Sequence, residues 1–105
     1  MKNILPVELQ AEITAGRKMQ LLDVREAWEF KTARIEGSTL IPMGEIQARI
    51  GELDRDADIV VICHHGGRSV QVALFLERQG FPRMHNLAGG VNAWARSVDP
   101  TMPTY

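Results

Sequence analysis

The apolar residues of this chain fall into short β-like runs that alternate with segments of helical spacing. The most apolar run, Ile59–Ile62, consists of β-branched residues throughout, which is typical of a strand buried on both faces of a parallel sheet. Weaker runs predict three further strands, at residues 20–24, 39–41 and 83–87. Four strands are therefore expected, the third of them fully buried.

Helical spacing fills the segments between these strands. Pro6 can open a helix at its first position, and Gly16 can close it. Residues 26–33 have a helical pattern, and the apolar residues between positions 46 and 53 recur at helical spacing ahead of a polar turn. The first half of the chain is therefore predicted to contain three helices.

Two more helices are predicted in the last third of the chain. Ser69 can cap the first of them. One side of this helix is predicted to carry Val70, Ala73, Leu74 and Glu77. Gly89 and Gly90 introduce the second, shorter helix, which carries Val91 and Trp94.

Strands that alternate with helices indicate one α/β domain over residues 1–105, with a mostly parallel central sheet and helices on both faces. A chain of this length can bury one core but not two. In such sheets ligands bind beyond the carboxyl ends of the strands. Cys63 directly follows the most apolar strand, so it stands where a site is expected.

Composition narrows the classes of function. The formal net charge of −1 and the scattered Lys and Arg residues give no electrostatic case for nucleic acid or for an anionic membrane. No apolar stretch approaches the ~20 residues of a membrane span. A single cysteine excludes an internal disulfide, which suits a reducing compartment. We therefore expect a cytoplasmic protein that binds neither nucleic acid nor membrane.

That single cysteine opens the segment Cys63-His64-His65-Gly66-Gly67-Arg68-Ser69 at a predicted strand-to-helix turn. The two glycines allow the backbone angles at which successive N–H groups converge on one point. These N–H groups, the following helix terminus and the Arg68 guanidinium each favour a thiolate over a thiol. The segment itself contains no carboxylate. The pattern predicts a nucleophile that attacks, and then carries, an anionic group.

Ordinary structural roles compete with this interpretation. A lone cysteine is commonly a small buried hydrophobe, and an arginine is commonly a surface ion-pair partner. The histidines at 64, 65 and 85 fit no zinc spacing with Cys63, so no metal is expected. We interpret Asp23 and Arg25 as a structural pair. Three aromatic residues are expected to pack in the core or against helices, with no role in the site, namely Trp28, Phe30 and Trp94.

The chain resembles a single-domain rhodanese, a member of the thiosulfate sulfurtransferase family. The matching stretches are Asp23-Val24-Arg25-Glu26 with Glu29-Phe30, Ile35-Glu36-Gly37-Ser38 to Ile41-Pro42, the Cys63–Ser69 segment, Gly80-Phe81, and Leu87-Ala88-Gly89-Gly90 with Trp94. The cysteine segment and the Gly-Gly…Trp element are the specific ones. One departure is Arg34, where the family often has a histidine.

The resemblance implies a mechanism. The Cys63 thiolate would attack the outer sulfur of thiosulfate or a similar anionic sulfur donor, and a thiol, cyanide or a protein acceptor would then take the sulfur from the Cys63 persulfide. The N–H groups from His64 to Ser69 would hold the persulfide, and Arg68 would bind the anionic end of the donor. No metal and no organic cofactor are implied.

Two alternatives stay open. Phosphatases and arsenate reductases of related fold place five residues between cysteine and arginine, whereas four intervene here, from His64 to Gly67. A tetrahedral oxyanion needs the wider loop, so that alternative is distant. Rhodanese-like domains also serve as sulfur carriers or protein-binding modules without thiosulfate turnover, and an intact Cys63 segment argues against the second of these roles only.

Overall fold

In the computed structural model, which describes residues 1–105, five parallel strands form one sheet in the order β1-β5-β4-β2-β3. The strands are β1 (Lys2–Ile4), β2 (Gln20–Asp23), β3 (Thr39–Leu40), β4 (Ile59–Ile62) and β5 (Met84–Leu87). The α-helices are α1 (Pro6–Thr14), α2 (Ala27–Thr32), α3 (Gly67–Arg78) and α4 (Gly90–Ser97). This is the predicted α/β architecture, which is confirmed. None of the helices combines the length and the apolarity needed to cross a membrane.

The central strand β4 divides the core into two layers. All four of its side chains have no exposed surface. Ile59 and Val61 pack with the α3 side chains, whereas Val60 and Ile62 pack with Leu9 of α1 and with side chains of α4. Alternate residues of one strand therefore face opposite layers of helices, as expected for a strand inside a parallel sheet.

Two sequence expectations about regular elements are wrong. The apolar residues between positions 46 and 53 do not form a helix; residues 43–53 instead contain two 3₁₀ turns, Met43–Glu45 and Ile50–Glu52. Glycines at 44 and 51 lower the helical propensity of this segment, while Ile46 and Leu53 still reach the core. The edge strand β1 was not predicted, because three residues with only Ile4 half-buried leave no hydrophobic pattern.

Helix α3 begins earlier and faces differently than predicted. The residue directly before the helix is Gly66, which has a φ of 111°. Ser69 is buried within the first turn of the helix and is not its cap. The buried side of α3 consists of Ser69, Val72, Ala73 and Leu76. Leu74 is instead 37% exposed, since the apolar side lies about one position away from the predicted one.

The aromatic residues divide between core and surface. Trp94 is buried in the α1–α4 layer, as predicted, whereas Trp28 is 60% exposed and is not a core residue. Phe30 is half-buried, with the Arg34 guanidinium 4.8 Å from its ring centre. Helix α2 is short and buries only Glu29, so its aromatic side chains have no core to enter.

A fully buried ion pair follows β2. Asp23 and Arg25 both have no exposed surface, and the guanidinium donates to the carboxylate through Nε at 2.9 Å and through Nη2 at 2.7 Å. Arg25 also donates from Nη2 to the Ala33 carbonyl at 2.6 Å. The predicted pair is confirmed, and it ties the end of β2 to the segment that follows α2.

Replacing Arg25 by Met should therefore destabilise the fold strongly, because Asp23 would keep a buried charge without its partner. We expect the free energy of unfolding to fall by about 3–5 kcal/mol, measured by urea denaturation. The matched change at the exposed Arg96, Arg96→Met, should stay within about 0.5 kcal/mol of the wild type. Equal effects of the two substitutions would contradict a structural role for the buried pair.

Candidate functional site

Cys63 lies at the carboxyl end of β4, where the chain turns into α3. Its side chain is 1% exposed. Its Sγ accepts the Gly66 N–H at 3.0 Å and lies 3.2 Å from the Ser69 Oγ. The sulfur is therefore in contact with polar groups of its own loop on two sides.

The loop after Cys63 leaves several backbone N–H groups without an acceptor inside the protein. They belong to His64, His65, Gly67, Arg68 and Ser69. Those of the last three residues form the amino terminus of α3, where the helix dipole places partial positive charge. The loop can thus stabilise negative charge on the sulfur, or on a group bound to it, without any cation.

Helix α4 holds this loop from behind. The N–H groups of Val91 and Asn92 donate to the carbonyl oxygens of Cys63 and His64, at 2.9 and 3.1 Å. Gly90 has a φ of 59°, and a Cβ there would lie 2.5 Å from the His64 carbonyl oxygen and closer still to that of Cys63. These two hydrogen bonds and the absence of a side chain at Gly90 fix the backbone of the loop against α4.

A buried polar chain supports Ser69. Its hydroxyl lies 3.1 Å from the Gly66 carbonyl oxygen and hydrogen-bonds the Asn86 Oδ1. Asn86, on β5, donates from Nδ2 to the Asn3 Oδ1 at 3.0 Å. Sequence reasoning missed Asn86, although a polar residue inside a buried strand was an available signal.

Arg68 is engaged by a carboxylate that sequence reasoning did not place here. Its two terminal nitrogens donate to the two oxygens of Glu29, each at 2.8 Å. The Glu29 carboxylate is 5% exposed and also accepts the Tyr105 hydroxyl at 2.9 Å. The Arg68 hydrogen bonds hold the pKa of Glu29 at about 2, so the pair is ionised. The cysteine segment itself contains no carboxylate, but the fold brings the carboxylate of Glu29 to it.

Aromatic rings cover this end of the sheet. The rings of His64 and Tyr105 stack at 3.9 Å with an 8° tilt, and the His65 ring lies 3.9 Å from that of His64. Trp28 meets Tyr105 edge-on at 5.5 Å. Burial lowers the pKa of His64, which favours the neutral imidazole. Nothing in the sequence pattern marked Tyr105 as part of the site, because its partner Arg25 is 80 residues away in the chain.

The seven residues of the predicted segment lie together, and His85, which was not predicted to belong to the site, lies elsewhere. His85 hydrogen-bonds Asp58 at 3.1 Å, at the opposite end of β4 from Cys63. No group of three His, Cys, Asp or Glu side chains converges as metal ligands would. The chemistry on offer is that of one sulfur surrounded by N–H donors, with an arginine–glutamate pair beside it.

Comparison with known proteins identifies the class. The family model of the rhodanese-like domain matches residues 5–97. The putative sulfurtransferase YtwF of Bacillus subtilis is 36% identical over 100 residues, covering 95% of this chain and 96% of the relative. Thiosulfate sulfurtransferase GlpE of Shewanella oneidensis is 32% identical over 90 residues, covering 86% and 89%. The crystal structure of SSP1007 from Staphylococcus saprophyticus superposes with a TM-score of 0.86 at 30% identity, covering 93% and 97%.

The chain therefore belongs to the rhodanese-like domain family, as its resemblance predicted. Other relatives are much longer than the matching region. The chain spans 30% of the rhodanese-like/PpiC domain-containing protein 12 of Arabidopsis thaliana, which is 39% identical over 90 residues, and 48% of the Bacillus subtilis putative sulfur carrier protein YrkF. Within the family, the domain thus occurs both alone and as one part of a larger chain.

The contact between Gly90 and the cysteine loop can be tested by Gly90→Ala. The added Cβ would combine a positive φ with overlap against two carbonyl oxygens, and we expect a loss of about 3 kcal/mol in the free energy of unfolding. Gly37→Ala is the matched control, because Gly37 has a φ of 86° but no atom within 4 Å of the place where a Cβ would lie. It should cost about 1–2 kcal/mol. Equal losses of unfolding free energy for the two variants, measured by urea denaturation, would contradict the predicted overlap at Gly90.

The Glu29–Arg68 pair predicts a pH dependence of stability. The pKa of Glu29 falls from 4.5 to about 2 on folding, so its contribution is complete above pH 4.5 and is lost as the pH falls towards 2. The gap in unfolding free energy between wild type and Glu29→Gln should therefore shrink over that interval, by about 3 kcal/mol at most. Glu36→Gln, at an exposed side chain, controls for net charge. A gap that stays constant down to pH 2 would contradict the assignment.

Proposed function

We propose that this domain is a sulfurtransferase that carries sulfane sulfur as a persulfide on Cys63. The observation that carries the proposal is the position of the Cys63 Sγ, 3.0 Å from the Gly66 nitrogen, within a loop whose other N–H groups have no acceptor in the protein. A terminal sulfur added to Sγ would carry negative charge into this ring of donors. Donors that are fixed by the fold need little reorganisation when such a charge arrives.

In the first half-reaction the Cys63 thiolate attacks the outer sulfur of thiosulfate. The bond between Sγ and that sulfur forms while the bond between the two thiosulfate sulfurs breaks, and its electron pair leaves with sulfite. The negative charge of the thiolate passes to the new terminal sulfur, so total charge is conserved. The residues from His64 to Ser69 supply the N–H groups that stabilise this terminal sulfur. The Ser69 hydroxyl lies beside the other sulfur of the persulfide, the Cys63 Sγ.

In the second half-reaction an acceptor takes the terminal sulfur. Cyanide would leave as thiocyanate, and a thiolate would leave as a persulfide; either returns Cys63 as the thiolate. The single cysteine of the chain requires such an external acceptor, because no second thiol is available to attack the persulfide. We further propose a reducing cytoplasm as the setting, since acceptor thiols are kept reduced there.

The names of relatives support sulfur transfer and leave the acceptor open. GlpE is named a thiosulfate sulfurtransferase, and YrkF a putative sulfur carrier. A carrier and a small-molecule transferase share the same Cys63 persulfide and differ only in what removes the sulfur. We propose thiosulfate as the donor and a small thiol or cyanide as the acceptor, with a protein acceptor as the second candidate.

The persulfide can be detected by intact mass. We expect the reduced protein, after incubation with thiosulfate and desalting, to gain the mass of one sulfur atom, and to lose it during a chase with cyanide. Cys63→Ser is the matched control, because it retains a hydroxyl at the same place but cannot form the adduct. Circular dichroism should show the fold of the variant unchanged.

Two outcomes would contradict the proposal. An adduct that forms equally on Cys63→Ser would place the sulfur elsewhere on the chain. A folded, reduced wild type that gains no sulfur from thiosulfate, but gains it from a persulfidated protein, would replace the thiosulfate reaction by the carrier role.

A further inference from the structure

Arg68 is not a free cation at the mouth of the cysteine loop. Each of its terminal nitrogens donates one hydrogen bond to Glu29, in a bidentate pair with two distances of 2.8 Å. Arginine and glutamate together carry no net charge. An anionic donor that approaches Cys63 therefore meets a neutral pair, whereas the loop alone would present a positive charge.

The carboxylate of Glu29 is held in place from other directions. Its oxygens also accept the Glu26 backbone N–H and the Tyr105 hydroxyl, each at 2.9 Å. The Tyr105 oxygen in turn accepts a hydrogen bond from the buried Arg25 at 2.7 Å. Glu29 therefore cannot move aside when a donor arrives without breaking several partly buried hydrogen bonds.

We propose that Glu29 is a positioning residue that determines which donor charge the site prefers. By neutralising Arg68, it disfavours dianionic sulfur donors relative to donors with a single negative charge. This inference rests on the proposed function, and it concerns which donors that function prefers. The buried Arg25 adds no net charge to the site, because it is itself paired with Asp23. Donor recognition then depends mainly on the loop N–H groups, which bind the reacting sulfur of either kind of donor.

The physical argument is Coulombic. Removing one negative charge near the donor should help a dianion twice as much, in free energy, as a monoanion at the same position. A threefold gain for a monoanion therefore corresponds to a ninefold gain for a dianion. This squared relation distinguishes a charge effect from a general change in loop shape, which has no reason to follow donor charge.

Thiosulfate and methanethiosulfonate form a matched pair of donors. Both carry the transferable sulfur on an oxidised sulfur atom, but a methyl group in the second replaces one charged oxygen of the first. The Cys63 thiolate attacks the terminal sulfur in each case, and the leaving group is sulfite in one and methanesulfinate in the other. Charge and atoms balance in both reactions. A substitution that changes the two KM values by different factors therefore reports the charge of the donors, because the leaving groups are the same in wild type and variant.

The test compares KM and kcat for both donors, with cyanide as the acceptor, in wild type, Glu29→Gln and Glu36→Gln. We expect Glu29→Gln to lower KM about ninefold for thiosulfate and about threefold for methanethiosulfonate, with little change in kcat. Glu36→Gln removes the same formal charge at an exposed side chain and should leave the ratio of the two KM values unchanged. Circular dichroism and thermal unfolding establish that the variants are folded.

A KM ratio that Glu29→Gln leaves unchanged, with both donors turned over, would overturn this inference and leave the proposed function standing. Failure of the wild type to take sulfur from either donor would overturn both. If Glu29→Gln does not fold, the salt dependence of KM in the wild type tests the inference. A neutralised Arg68 predicts that KM for thiosulfate rises less than about twofold between about 0.05 and 0.5 M potassium chloride, and a steep rise would overturn the inference.

Discussion

The site depends on the contact between the amino terminus of α4 and the loop after β4. Two N–H groups of α4, from Val91 and Asn92, bond the carbonyl oxygens of Cys63 and His64. Gly90 permits this approach, since a side chain at that position would overlap the same oxygens. With its carbonyls bonded on that side, the loop places the Gly66 N–H on the sulfur and leaves its other N–H groups without an acceptor in the protein. The Gly-Gly…Trp element thus serves the site as part of its framework, and Trp94 anchors the helix in the core.

Charge at the site is balanced pair by pair. Arg25 is paired with Asp23, and Arg68 with Glu29, while the Tyr105 hydroxyl joins the two pairs by hydrogen bonds to Arg25 and Glu29. Pairing lowers the cost of burying these groups, and it leaves the backbone N–H groups as the main source of positive potential near Cys63. A site of this kind suits one small, polarisable sulfur better than a highly charged oxyanion.

Local sequence patterns predicted the parts of the fold that depend on local chemistry. The β-branched run identified β4, and the glycines after Cys63 identified the turn, because both features act within a few residues. The 3₁₀ turns between β3 and β4 were not predicted, since apolar spacing alone does not distinguish them from a helix. The predicted cap at Ser69 failed for a similar reason: a hydroxyl near a helix start is equally suited to hydrogen-bond a sulfur.

The sequence by itself determined the family to which the chain belongs, the loop around Cys63 and the choice of Cys63 as the proposed nucleophile, because these reside in short stretches of contiguous residues with few conformational options. Only the tertiary structure decided the partner of Arg68. Glu29 lies 39 residues away in sequence, and Tyr105 lies 76 residues beyond Glu29. Their meeting depends on the order of strands in the sheet and on the path of the last residues, and no local pattern encodes either. The charge that a sulfur donor meets is therefore a property of the fold.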